Sequence, residues 1–130
     1  MDALYKIGAM ALTIGLLDAG WLTLRNGYHQ SLFKAVQGSA IEPRWIPALL
    51  IYALIPVALY FWADGKTLHD SATKGALVGL ILYAFYDLTN YATLKGWTLD
   101  MTLTDIAWGT LVCAVGASAG YAFTSLYMNR

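Results

Sequence analysis

Residues 45–63 read WIPALLIYALIPVALYFWA and residues 106–128 read IAWGTLVCAVGASAGYAFTSLYM, two runs without Asp, Glu, Lys, Arg or His. Each is close to, or longer than, the ~20 apolar residues an α-helix needs to cross a bilayer's hydrocarbon. Together they decide the fold class, an all-α membrane protein. On either side of the first run, residues 4–24 and 72–94 form apolar blocks of similar length, each with one deeply embedded carboxylate, Asp18 and Asp87. Counting both as spans gives an antiparallel bundle of four transmembrane helices over about 4–24, 45–63, 72–94 and 102–127, within one membrane domain of residues 1–130.

Composition agrees with this reading. Hydrophobic residues make up 58% of the chain and charged residues 12%, against a charged share of about 25% in soluble domains, so there is too little polar surface to coat a globule. The net charge is zero, which gives no footing for nucleic acid or a polybasic lipid clamp. Cys113 is the single cysteine and falls inside the fourth span, which excludes a disulfide framework or a thiol metal motif. The first apolar block is too long for a cleaved signal peptide and has no basic leader, so it is expected to be retained as helix one.

The connections set the topology. Asp64-Gly65-Lys66 and Lys95-Gly96-Trp97 are tight-turn signals that lay consecutive helices antiparallel. An even number of spans then puts both termini on one side. The Lys and Arg count does not orient the bundle: Lys6, Lys66, Lys74 and Arg130 fall on the terminal side, and Arg25, Lys34, Arg44 and Lys95 on the other. The longer link from Arg25 to Arg44 carries Tyr28, Leu32 and Val36 at four-residue spacing, one apolar helical face. It reads either as a short interfacial helix or as a loop folded over the bundle.

Small residues recur where helices in lipid need close backbone approach: Gly75 with Gly79, Gly116 with Gly120, and the run Ala11, Gly15, Ala19. They serve packing within one bundle or, through the same GxxxG faces, a homo-oligomer or another membrane protein.

An internal echo points to a functional layer. Asp18-Ala-Gly-Trp21-Leu-Thr-Leu in helix one matches Asp105-Ile-Ala-Trp108-Gly-Thr-Leu in helix four, and helix three holds a looser version, Asp87-Leu-Thr-Asn90-Tyr-Ala-Thr-Leu. An acid at mid-membrane costs about 2.5–3.5 kcal/mol on insertion scales. At about 1.5 Å per residue, Asp18 and Asp87 lie roughly 10 Å inside the face opposite the termini, and Asp105 enters from that same face. The expected polar site is therefore Asp18, Asp87, Asn90 and Asp105. Tyr83, Asp87, Asn90 and Leu94 make one stripe on helix three. Trp21 and Trp108 lie one turn from their acids and can donate indole N–H bonds to them. Helix two brings Arg44, the nearest obvious cation, and Tyr52. The bland alternative is hydrogen-bond glue for the acids and an interfacial belt for the aromatics. His69 reads as a solvated turn residue, and Pro47 and Pro56 as the start and a kink of helix two.

Tyr86-Asp87-Leu88-Thr89-Asn90, then Ala92-Thr93-Leu94 and Trp97, then Asp105-Ile106-Ala107-Trp108-Gly109, with Leu17-Asp18 and Trp21-Leu22 upstream, resemble small bacterial membrane proteins grouped as domain of unknown function 2177, which have relatives in large DNA viruses. The resemblance runs over essentially the whole chain and adds Tyr86 and Thr89 to the supporting residues. It implies a compact four-span protein, in a bacterial cytoplasmic membrane or, by the viral relatives, a virion's internal membrane. It implies no activity, and the sequence names no cofactor or metal.

Three functions are open to such a layer. Acids held close in low dielectric cannot all ionise, which suits a proton-coupled carrier; alternatively, three carboxylates with Asn90 would offer a hard cation its oxygen ligands. A lipid- or isoprenoid-modifying enzyme would use two carboxylates as acid and base, but no nucleophile motif, His pair or phosphate loop supports it. A structural component of a larger assembly would use the bundle alone, with the Arg25 to Arg44 link meeting a partner.

Overall fold

The computed structural model describes residues 2–128, and among them every regular element is a helix. Its elements are α1 (Asp2–Leu24), α2 (Asn26–Gln37), α3 (Trp45–Trp62), α4 (Leu68–Thr93) and α5 (Leu99–Phe123), the last running on into a π-helical turn, Thr124–Met128. Arg130, used in the charge count, lies outside the described residues.

Three helices, α1, α3 and α5 with its π-helical extension, are long and apolar enough to cross a membrane. The fourth expected span, α4, is the longest α-helix at 26 residues, about 39 Å at 1.5 Å per residue, but it falls short in apolarity. Its first turns carry His69, Asp70 and Lys74, and its last turns Asp87, Thr89 and Asn90. Large apolar side chains stand exposed on every long helix, among them Leu12 and Leu16, Ile46 and Leu50, Ile81 and Phe85, and Leu103 and Leu111. Water would make such a surface an aggregation hazard, whereas lipid solvates it.

Local chemistry explains the helix ends. Thr67 and Thr98 cap α4 and α5, each accepting from the backbone N–H three residues on at 3.0 Å. Gly38 ends α2 with φ at 81°, a conformation that disfavours a side chain. Pro47 sits in the first turn of α3, where a missing N–H costs nothing. Pro56, buried inside the same helix, leaves the carbonyl of Tyr52 without its helical donor.

The residues 25–44 link resolves as helix α2 followed by an extended segment. Its Tyr28, Leu32 and Val36 face packs on Trp97 and Met101 at the α4–α5 turn, and Phe33 meets Trp97 edge-on with centroids 5.6 Å apart. The apolar stripe thus faces protein: α2 is a helix, as the periodicity predicts, but it closes one end of the bundle.

The core forms where α1, α3 and α5 meet, around Met10, Ile14, Leu59, Val112 and Cys113. The α4–α5 pair is built differently, from a ladder of small residues. A Cβ at Gly75 would strike the Cys113 carbonyl and Ala117, one at Gly79 the Gly109 carbonyl and Cys113, and one at Gly109 the Tyr83 ring. Each four-residue step up α4 (75, 79, 83) therefore meets a four-residue step back down α5 (117, 113, 109). Gly116 and Gly120 receive Ile14 and Met10 of α1, so both GxxxG pairs are filled from within the chain.

Candidate functional site

The next rung of that ladder places Asp87 on α4 against Asp105 on α5. Asp87 is 0% exposed, and among the described residues neither of its oxygens meets an N–H or O–H donor. The carboxyl group beside it is that of Asp105, near enough for the two to act directly on each other. Carboxylates only accept, so two carboxyl groups in contact can be joined only through a proton that one of them carries. Without it, an unpaired charge would be buried at a cost of several kcal/mol.

Asp18 is satisfied differently. The Tyr52 hydroxyl of α3 donates to one oxygen, and the Trp108 indole of α5 donates to the other at 2.8 Å. Three helices are thereby tied at one acid. Trp108 stacks on Trp21 with centroids 4.6 Å apart and planes 6° from parallel. The two echoed motifs therefore meet, but crosswise: Trp108 serves the acid of α1, not its own Asp105. The Trp21 N–H serves neither and is buried without a partner among the described residues.

The cation near these groups is Arg25. It lies over the rings of Trp21 and Tyr28, 5.6 and 4.3 Å from their centroids, and pairs with Asp100 at 3.4 Å. Arg44, expected to serve a buried carboxylate, is exposed at the start of α3 and makes no ion pair among the described residues.

Tyr83 lies against Gly109 of α5, and Asn90 lies beside the phenol of Tyr86, the neighbour of Asp87 that the resemblance adds. Thr89 turns away, exposed, its hydroxyl donating to the Phe85 carbonyl at 2.6 Å. Among the described residues no group of three or more His, Cys, Asp or Glu side chains could hold a metal ion, so the expected cation cage of three carboxylates and Asn90 is not formed.

His29, passed over in the sequence, is buried at 7% exposure on α2, within electrostatic reach of Asp105, Arg25 and Asp18. The available signal was its place one turn before Leu32 and Phe33, on the packed side of α2. Burial pushes its pKa below the ordinary 6.5, against the pull of Asp105, so the ring is neutral at neutral pH. Because the unfolded chain takes up a proton more readily, the stability due to His29 is present above pH 6.5 and lost as pH falls below it. Thermal unfolding followed from pH 7 downwards is expected to show a loss of stability that His29→Gln reduces; an unaltered pH profile in that variant would contradict it.

A cleft of about 750 Å³ runs between α3 and α4. Its polar end is Asp18, His29, Tyr52, Tyr83, Tyr86 and Asp105, and its walls are apolar, with Ile51, Leu54, Phe61 and Trp62 of α3 facing Leu82 of α4. Those wall residues are 40–70% exposed, Leu54 61% and Trp62 70%, so the cleft opens sideways toward lipid.

No curated protein and no solved structure matches the chain. Residues 3–122 match the family described as "Predicted membrane protein (DUF2177)". The match runs over nearly all of the chain and includes the Asp105-Ile-Ala-Trp108-Gly109 segment, and the protein belongs to this family of predicted membrane proteins.

Proposed function

We propose that this is a four-span membrane carrier for protons, in which the Asp87–Asp105 pair holds and passes a proton within the bilayer. The observation that carries it is the fully buried, donorless Asp87 carboxyl against Asp105. At Asp18 the donors come from other side chains; two acids can meet only if one of them keeps a proton, and that proton is the one a carrier would pass. Ionisable groups inside the membrane mark ion and substrate pathways, proton relays among them.

What supports α4 as the fourth span is the direction of its polar groups. Asp87 turns to α5, while Leu77, Ile81, Phe85 and Leu88 stand exposed, so the surface left to lipid is apolar. A bacterial cytoplasmic membrane is the setting that the family resemblance implies.

The test is proton flux into dye-loaded liposomes under an imposed pH gradient. Wild-type protein is expected to carry protons and Asp87→Asn to slow the flux by about 100-fold, the scale of losing a positioned proton-transfer group. Asparagine can still donate to Asp105, so the fold should survive. Equal flux in the two proteins would reject the reading in favour of a structural bundle.

A further inference from the structure

The carrier reading leaves the cleft between α3 and α4 without a use. We propose that it binds lipophilic cations entering from the bilayer, an inference that rests on reading the acid layer as functional and names the solute class it serves.

Charge selects the ligand. The polar end of the cleft presents Asp18 and Asp105 and a His29 held neutral by burial. Arg25, whose field reaches His29, is committed to Asp100 and lies over Tyr28. Among the described residues no Lys or Arg lines the cleft, so a cationic ligand would complete the charge there, whereas an anionic one would face two acids with no cation to offset them.

Shape and lining agree. A volume of about 750 Å³ falls in the range of small-molecule sites, about 300–1,000 Å³. Aromatic rings line both ends: Phe33, Tyr52 and Tyr83 near the acids, Phe61 and Trp62 toward the lipid side. Ring faces attract cations, more strongly where water is excluded. The exposed wall of α3 offers entry from the hydrocarbon, which an apolar cation can reach and a hydrated metal ion cannot.

The experiment is equilibrium binding of tetraphenylphosphonium to the full chain in lipid nanodiscs, with tetraphenylborate as the anion of matching shape. The phosphonium is expected to saturate a single site at least tenfold more tightly than the borate. Asp105→Asn should weaken it tenfold or more. Ala58→Trp, which adds bulk to the cleft lining from α3, about 9 Å along that helix from Tyr52, should abolish it, which keeps the test decisive if Asp105→Asn misfolds. Equal binding of the two ions, or phosphonium binding unchanged in Ala58→Trp, would overturn the proposal. The two readings fail separately: flux lost in Asp87→Asn with no phosphonium binding removes the ligand class alone, and phosphonium binding with normal flux in Asp87→Asn removes the proton relay.

Discussion

Replacing Gly79 by alanine is expected to destabilise the protein by about 1–3 kcal/mol, the usual cost of overpacking, whereas replacing Gly15 by alanine should stabilise it by about 0.5–1 kcal/mol. On sequence the two glycines look alike, each in a small-residue stripe. In space they differ. A Cβ on Gly79 meets the backbone carbonyl of Gly109 and, at 2.7 Å, the Cβ of Cys113. Neither is the free end of a side chain, so α4 itself must move off α5. Nothing lies within 4 Å of a Cβ on Gly15, and there alanine only reduces the freedom of the unfolded chain. Movement of α4 would also open the contact two rungs further along, between Asp87 and Asp105. Unfolding of the two variants in detergent micelles checks both signs. A neutral Gly79→Ala would mean that the ladder does not set the helix spacing.

Trp108→Phe is expected to cost about 1.5–3 kcal/mol, the loss of a hydrogen bond to a charged-type acceptor in a buried setting. The indole N–H reaches Asp18 at 2.8 Å, and phenylalanine keeps an aromatic ring for Trp21 while removing that donor. Tyr52→Phe removes the other donor and should cost about as much. The losses should not add, because both act on one carboxyl group, and groups in one network couple by about 0.5–3 kcal/mol. Unfolding of the two single variants and the double variant measures that coupling. Strict additivity would show that Asp18 is not a shared acceptor for the two helices.

The outline of this architecture was legible because lipid makes a blunt demand, long stretches without charge, and residues 45–63 and 106–128 meet it openly. Helix α4 was less legible, since its polar residues lower its apolarity while most of them face α5 or the turns. The depth of the acids could be counted along each helix, but their partners could not. Sequence spacing links Trp108 to Asp105 on its own helix, and only the approach of α1 to α5 gives its N–H to Asp18. The stripe on α4 was read from Tyr83 through Asp87 toward Asn90 and Leu94. The buried one runs the other way, through Ser71, Gly75, Gly79 and Asp87, because close packing follows the residues that have least side chain. His29 stayed hidden since a histidine in a polar link reads as solvated until the link folds over the bundle. Arg44 and Arg25 flank the same link, and nothing in spacing tells which of them turns inward.

The account depends on one proton joining Asp87 to Asp105. Infrared spectroscopy of the folded protein in neutral buffer detects it directly through the C=O stretch of a hydrogen-bonded carboxylic acid. The band is expected in the wild-type protein and should vanish in both Asp87→Asn and Asp105→Asn while the helical amide signal stays intact. A wild-type spectrum without the band, or a band that survives either substitution, would contradict the shared proton.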